Sequence, residues 1–172
     1  MIGIVPIPEE KMQQGIEMIL MNLLRYVQDA KLLYMDGSIE HATLLAEYAA
    51  EELGKASLLC QTLQTGSPSV DLRLFSGKKA HETKMEEARR LLGNNVILQS
   101  STVGRARVPH IVGAPDVETS PKLRMDCTYV DFREGEWKFG ASFLKEHLVN
   151  LLTELNNQSL LIYGWLSATG AP

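Results

Sequence analysis

Residues 39–64 read IEHATLLAEYAAEELGKASLLCQTLQ, and their spacing decides the fold. Ile39, Ala42, Ala46, Ala49, Leu53, Ala56, Cys60 and Leu63 recur at alternating three- and four-residue steps, which places them on one face of an α-helix. Four small residues on that stripe, Ala42, Ala46, Ala49 and Ala56, permit close approach of another helix. Gly54 interrupts the pattern at a cost of roughly 1 kcal/mol against alanine, so another backbone or a ligand is expected beside it. Thr65-Gly66-Ser67-Pro68 closes the helix. Upstream, Asp36-Gly37-Ser38 supplies a glycine for a left-handed cap and a serine to begin the next helix.

A first helix is expected to precede that turn. Glu9 and Glu10 follow Pro8 and suit the exposed amides of a helix start. Ile16, Ile19, Leu20, Leu23, Val27, Ala30 and Tyr34 give its apolar face. The two helices form an antiparallel hairpin over residues 9–65. A third helix is expected over about 77–92, with Met85, Ala88, Leu91 and Leu92 facing inward and Gly93-Asn94-Asn95 as its stop. Residues from about 100 to 140 lose the helical period. Pro109, Pro115 and Pro121 forbid a long helix there, and Cys127-Thr-Tyr-Val-Asp-Phe132 alternates like a short strand, with Glu134-Gly135-Glu136 as its turn. The last helix, over about 142–168, has Leu144, Leu148, Leu151, Leu152, Leu155, Ile162, Tyr163 and Leu166 as its core face. The expectation is a single all-α domain spanning residues 1–172, a four-to-five-helix bundle with an irregular insertion and a short strand before the last helix.

Composition is consistent with that frame. The chain has 172 residues, 45% of them hydrophobic and 22% charged, enough to bury a core without staples. Twenty-one acidic against seventeen basic residues give a net charge of -4, which excludes a surface built wholly for nucleic acid. Two cysteines make no disulfide framework, and Cys60 falls on the core stripe as a small hydrophobe. No apolar run is long enough to span a bilayer, and the first ten residues lack a basic, apolar leader. A cytoplasmic protein with no membrane contact is expected.

None of the four histidines has a carboxylate three residues before it, so the Glu-x-x-His pairs of di-iron bundles are absent. There is no Cys-x-x-Cys, P-loop, Gly-x-Gly-x-x-Gly or Gly-x-Ser-x-Gly. No metal and no cofactor is expected.

What remains is polar residues in unusual places. On the second helix Glu51 points almost directly away from the apolar stripe and reads as solvated. Glu52 lies about 80° from the stripe centre, on the flank of Leu45, Tyr48 and Leu59, with Lys55 one turn on. His81 and Lys84 each precede apolar positions of the third helix by four and seven residues, so both continue its buried face. If those helices pack, Glu52, Lys55, His81 and Lys84 converge. One carboxylate among two ammonium groups leaves a positive charge that a phosphate would relieve. Against this stands the ordinary account, in which lysines at a stripe edge reach water over apolar surface and a histidine near a helix start is hydrogen-bonded structure. A second constellation, Arg105-Ala-Arg-Val-Pro-His110, pairs a cation with an imidazole, as metal-free RNA cleavage requires. Pro109 keeps those two residues off one regular helix, and a surface loop with two exposed basic residues is the preferred account of them.

Three blocks carry a family resemblance. Asp29-Ala30 with Leu32-Leu33, then Ala46 and Glu51-Glu52-Leu53-Gly54-Lys55, resemble the helical hairpin of the AbiV abortive-infection proteins, a branch of the HEPN superfamily. His81-x-x-Lys84 resembles that family's second block. Tyr129-Val-Asp131-Phe132 followed by Trp137 resembles its aromatic block. The three lie in the expected order over about residues 15–145. The resemblance implies a bacterial, cytoplasmic, helical protein, often a homodimer, acting in phage defence or a related RNA-directed response. Many HEPN proteins are metal-independent ribonucleases using an arginine and a histidine four to six residues apart. Arg105 and His110 match that spacing but depart from the helical setting.

Two readings follow. In the preferred one, the bundle of a defence protein binds RNA or a nucleotide, with RNA cleavage as its candidate activity. Lys55 and Lys84 then bind phosphate, His81 is the acid/base with Glu52 orienting it or a lysine, and Arg105 with His110 is the alternative pair. Glu51, Gly54, Tyr129 and Asp131 are then structural. In the other, a non-catalytic protein acts through a phage or host protein partner, and the polar cluster fixes helix register.

Overall fold

The computed structural model describes residues 4–66, 69–71, 78–92, 98–103, 106–111, 131–133, 136–138 and 145–168. Helix α1 (Glu9–Met35) starts directly after Pro8, with Glu9 and Glu10 in its first turn. Its buried residues, Met12, Ile16, Leu20, Leu23, Val27 and Ala30, repeat at the expected steps, while Ile19 and Tyr34 are half-buried. The turn into α2 (Ile39–Gln64) is three residues long. Gly37 adopts φ +85°, and the Ser38 amide returns to the Leu33 carbonyl at 2.9 Å, closing the helix end with a left-handed glycine. Ser38 stands at the N-cap of α2, yet its hydroxyl shares a hydrogen bond with His41 Nδ1 at 2.9 Å and caps no amide.

Helix α2 lies at the centre, packed against α1, α3 (Lys78–Leu92) and α4 (Lys145–Ala168). Its apolar stripe meets Leu23, Val27 and Ala30 of α1, Met85, Ala88 and Leu92 of α3, and Leu148, Leu151, Leu152 and Leu155 of α4 in one core. A second apolar cluster joins Met12, Ile16 and Leu20 to Ala56, Leu59, Cys60 and Leu166 at the other end of the hairpin. That end carries elements the helical periods do not announce. Strand β1 (Ile4–Pro6) pairs antiparallel with β2 (Ser69–Asp71), and Val70 closes the second cluster, fully buried. Three-residue strands are too short for an alternating pattern to register.

The described residues therefore hold four helices, an all-α bundle of the expected kind with small two-stranded ribbons attached. Within the stretch expected to be irregular, the described residues form two antiparallel ribbons. Strand β3 (Leu98–Val103) pairs antiparallel with β4 (Ala106–Ile111), Ser100 opposite Pro109 and Gln99 opposite His110. His110 thus occupies a strand, where a loop was expected. A two-stranded ribbon has a free edge on each strand, and an edge position tolerates a proline that cannot donate. Strand β5 (Asp131–Arg133) pairs with β6 (Glu136–Lys138), Phe132 opposite Trp137. The strand expected over residues 127–132 is described only at Asp131 and Phe132; residues 127–130, and residues 134–135 of the expected turn, lie outside the described residues, and Glu136 stands in β6. On α4, Leu148, Leu151, Leu152, Leu155 and Leu166 are buried as expected, but Tyr163 is 55% exposed.

Candidate functional site

The polar residues singled out by the sequence collect on two different flanks of α2. On the first flank α2 carries a second stripe, Thr43, Glu47, Ala50, Gly54, Ser57 and Gln61, spaced four and three residues apart and buried except for Gln61, and its later residues Gly54, Ser57 and Gln61 meet α3. These residues are small or polar, and Gly54 is the closest point. A Cβ on Gly54 would overlap the Lys84 carbonyl oxygen and stand 2.7 Å from its carbonyl carbon and 3.2 Å from the Ala88 nitrogen. The expected close neighbour of this glycine is therefore the backbone of α3.

That approach brings Glu51 onto α3. One Glu51 oxygen meets Lys84 Nζ at 2.5 Å and the other meets His81 Nδ1 at 3.0 Å. The Lys84 side chain is 7% exposed, and those of His81 and Glu51 are 18% and 17% exposed. Glu51 is thus the hub of the joint and not a solvated residue. The wheel placed it opposite one apolar stripe, but α2 is packed by three helices, and its buried arc extends round to α3. One turn further along, Glu87 of α3 accepts from Ser57 Oγ at 2.5 Å, Gln61 Nε2 at 2.7 Å and the Arg90 guanidinium at 2.7 and 2.9 Å. Burial pushes the Glu87 carboxyl up, yet the bonds from Arg90, Ser57 and Gln61 more than offset it and hold the group below its ordinary value; Arg90 is raised in return. Sequence reasoning missed Glu87, Ser57 and Gln61. The second stripe on α2 was the signal that could have found them.

The second flank faces α1. Tyr48 places its ring 5.7 Å from that of Tyr26. One turn on, Lys55 Nζ donates to both oxygens of Glu52 at 2.8 and 2.9 Å, and Asn22 Nδ2 reaches the same carboxylate at 3.4 Å. Beside this pair lies an open groove of about 460 Å³, lined by Met18, Ile19, Met21, Asn22, Arg25, Glu52 and Lys55. Glu52 and Lys55 therefore do not join His81 and Lys84. The four expected to converge are divided, each lysine with its own glutamate, and the surplus charge expected among them is absent. The rotation of about 100° between adjacent residues sends Glu51 and Glu52 to different helices.

The remaining candidates are placed only in part. His110 stands on β4 and Asp131 opens β5, opposite Lys138. Arg105 and Tyr129 lie outside the described residues. Cys60 sits in the second apolar cluster, where burial pushes its thiol up to about 11, so it is a packing residue at neutral pH. No group of three or more histidine, cysteine or acidic side chains suited to a metal gathers among the described residues, and no helix among them is long and apolar enough to cross a membrane.

The model of the AbiV family of HEPN proteins matches residues 11–160, from the first turn of α1 into α4. No curated protein and no solved structure gives a match to the chain.

Proposed function

The chain belongs to the AbiV family of HEPN proteins, and from that premise we propose that it is an anti-phage protein of the abortive-infection type acting through a protein partner. The observation that supports this reading is the engagement of the family-block residues with one another. Glu51 holds both His81 and Lys84, and Gly54 rests on the Lys84 backbone. Those residues join two helices, and the neighbouring Glu52 and Lys55 neutralise each other. A site for an RNA phosphate needs uncompensated cations, and in both clusters each ammonium group faces a carboxylate.

One feature supports a second reading, that of an RNA-binding, metal-independent ribonuclease. A carboxylate on His81 Nδ1 at 3.0 Å, with Lys84 on the other oxygen, is an arrangement that orients an imidazole for proton transfer and sets a cation beside it. In that case His81 moves the 2′-hydroxyl proton, Lys84 and Lys55 hold phosphate, and Arg105 with His110 is the alternative pair.

Incubating purified protein with labelled total and transfer RNA, without added metal, separates the two. The partner-binding reading expects no cleavage, and it expects His81→Ala and Lys84→Ala to lower the melting temperature. Cleavage by wild type that is lost in Lys55→Ala/His81→Ala would overturn it in favour of the bundle site. Cleavage surviving in that double variant would overturn it in favour of Arg105 and His110.

A further inference from the structure

We propose that the groove between α1 and α2 is the docking site for an acidic segment of the partner protein, anchored by a bulky apolar side chain. The inference rests on the partner-binding reading and gives that partner a chemistry and a place. Met18, Met21 and Arg25 follow one another at three- and four-residue steps along α1 and form a face opposite its buried stripe. Met18 and Met21 are 67% and 66% exposed, and the half-buried Ile19 continues their apolar surface into the groove. Unbranched, polarisable methionines adapt to irregular apolar partners, as binding surfaces require. The groove encloses about 460 Å³, within the volume range of ligand-binding clefts.

Charge selects the occupant. Lys55 is neutralised by both oxygens of Glu52, which Asn22 also approaches. Arg25 is exposed and forms no ion pair among the described residues. The groove thus offers one uncompensated guanidinium, whose planar fork suits a carboxylate. Single-stranded nucleic acid needs a different lining: aromatic faces for its bases and several cations for its phosphates. Among the described residues none that lines this groove is aromatic, and Glu52 stands in its wall. An amphipathic segment with a carboxylate about one turn from a leucine, isoleucine or phenylalanine meets both the methionines and Arg25.

The test is selection of a yeast-displayed random-peptide library on the full-length protein, followed by affinity measurement on Met18→Glu/Met21→Glu and Arg25→Glu. All three positions are exposed, so both variants should melt with the wild type. Enriched peptides should carry an acidic residue near a bulky apolar one. They should lose about tenfold or more in affinity on each variant, and selection on Arg25→Glu should turn to basic peptides. The inference is overturned if no peptide is enriched, if enriched peptides lack acidic residues, or if their affinity on both variants equals that on the wild type. That last result would leave the partner-binding reading standing with its site elsewhere. A short oligouridylate that binds wild type and is lost from Met18→Glu/Met21→Glu would overturn the inference in favour of nucleic acid. RNA cleavage in the preceding assay would instead overturn the partner-binding reading itself.

Discussion

Glu51 and Glu52 are adjacent in the chain, yet the regions they serve differ in almost every physical respect. The α2–α3 joint is closed: a glycine against a backbone carbonyl, a lysine buried on a carboxylate from the other helix, and a second carboxylate held by Ser57, Gln61 and Arg90. On the α1–α2 flank, the ion pair lies within one helix, three residues apart, beside an open groove with two exposed methionines. A charge that bridges two helices holds them in register; a charge paired within its own helix leaves the neighbouring surface open for a partner. One five-residue block, Glu51 to Lys55, supplies both regions because successive side chains turn about 100°.

The sharpest way to break that contrast is Gly54→Ala. The added methyl collides with backbone, which cannot swing aside as a side chain would, so a loss of about 3 kcal/mol is expected, at the top of the usual range for overpacking. Thermal unfolding reads this directly; a variant as stable as wild type would mean the joint is looser than described. Next in size is the difference between the two lysines. Lys84→Ala strands a half-buried Glu51 beside His81 and should cost about 2 kcal/mol, whereas Lys55→Ala removes a pair within one helix and should cost about 0.5 kcal/mol. Equal effects in urea unfolding would erase the distinction between the flanks.

The Glu87 network gives a pH signature. Its carboxyl is held below its ordinary value in the fold, so the folded protein binds fewer protons there than the unfolded chain does. The stabilisation is present in full above the ordinary carboxylate range and is lost as pH falls through the lowered folded value. Glu87→Gln should reduce stability at neutral pH by about 1–2 kcal/mol and flatten that acid-side loss. Parallel pH dependence in the two proteins would show that the network carries no such linkage. The smallest effect is expected at the groove, where Met18→Glu/Met21→Glu should leave the melting temperature within the ordinary spread of surface substitutions, about 0.5 kcal/mol. A large drop would make those methionines packing residues.

These two regions also show how far the sequence carries. The hairpin, the position of its turn at Gly37 and the close approach at Gly54 follow from periodicity and from the cost of glycine in a helix. The family blocks pick out Glu51, Gly54, His81 and Lys84, four residues the fold does bring together. Pairing was harder to read, because a single helical wheel assumes one buried face, and α2 has a second stripe, whose residues Gly54, Ser57 and Gln61 meet α3. The polar and small residues of that stripe resemble a solvated face in one dimension. Strands β1 and β2 were illegible for a different reason: each is three residues long and meets its partner more than sixty residues away. Pro109 hid β4, since a proline argues against a strand until the strand is known to lie at an edge.

Glu51 and Lys84 form the bridge between α2 and α3, and a double-mutant cycle of Glu51→Gln and Lys84→Met in urea unfolding measures that bridge most directly. A coupling of about 1–2 kcal/mol between these two positions, with none between Glu52 and Lys84, is the predicted result. Coupling near zero for Glu51 and Lys84, or comparable coupling from Glu52, would contradict it.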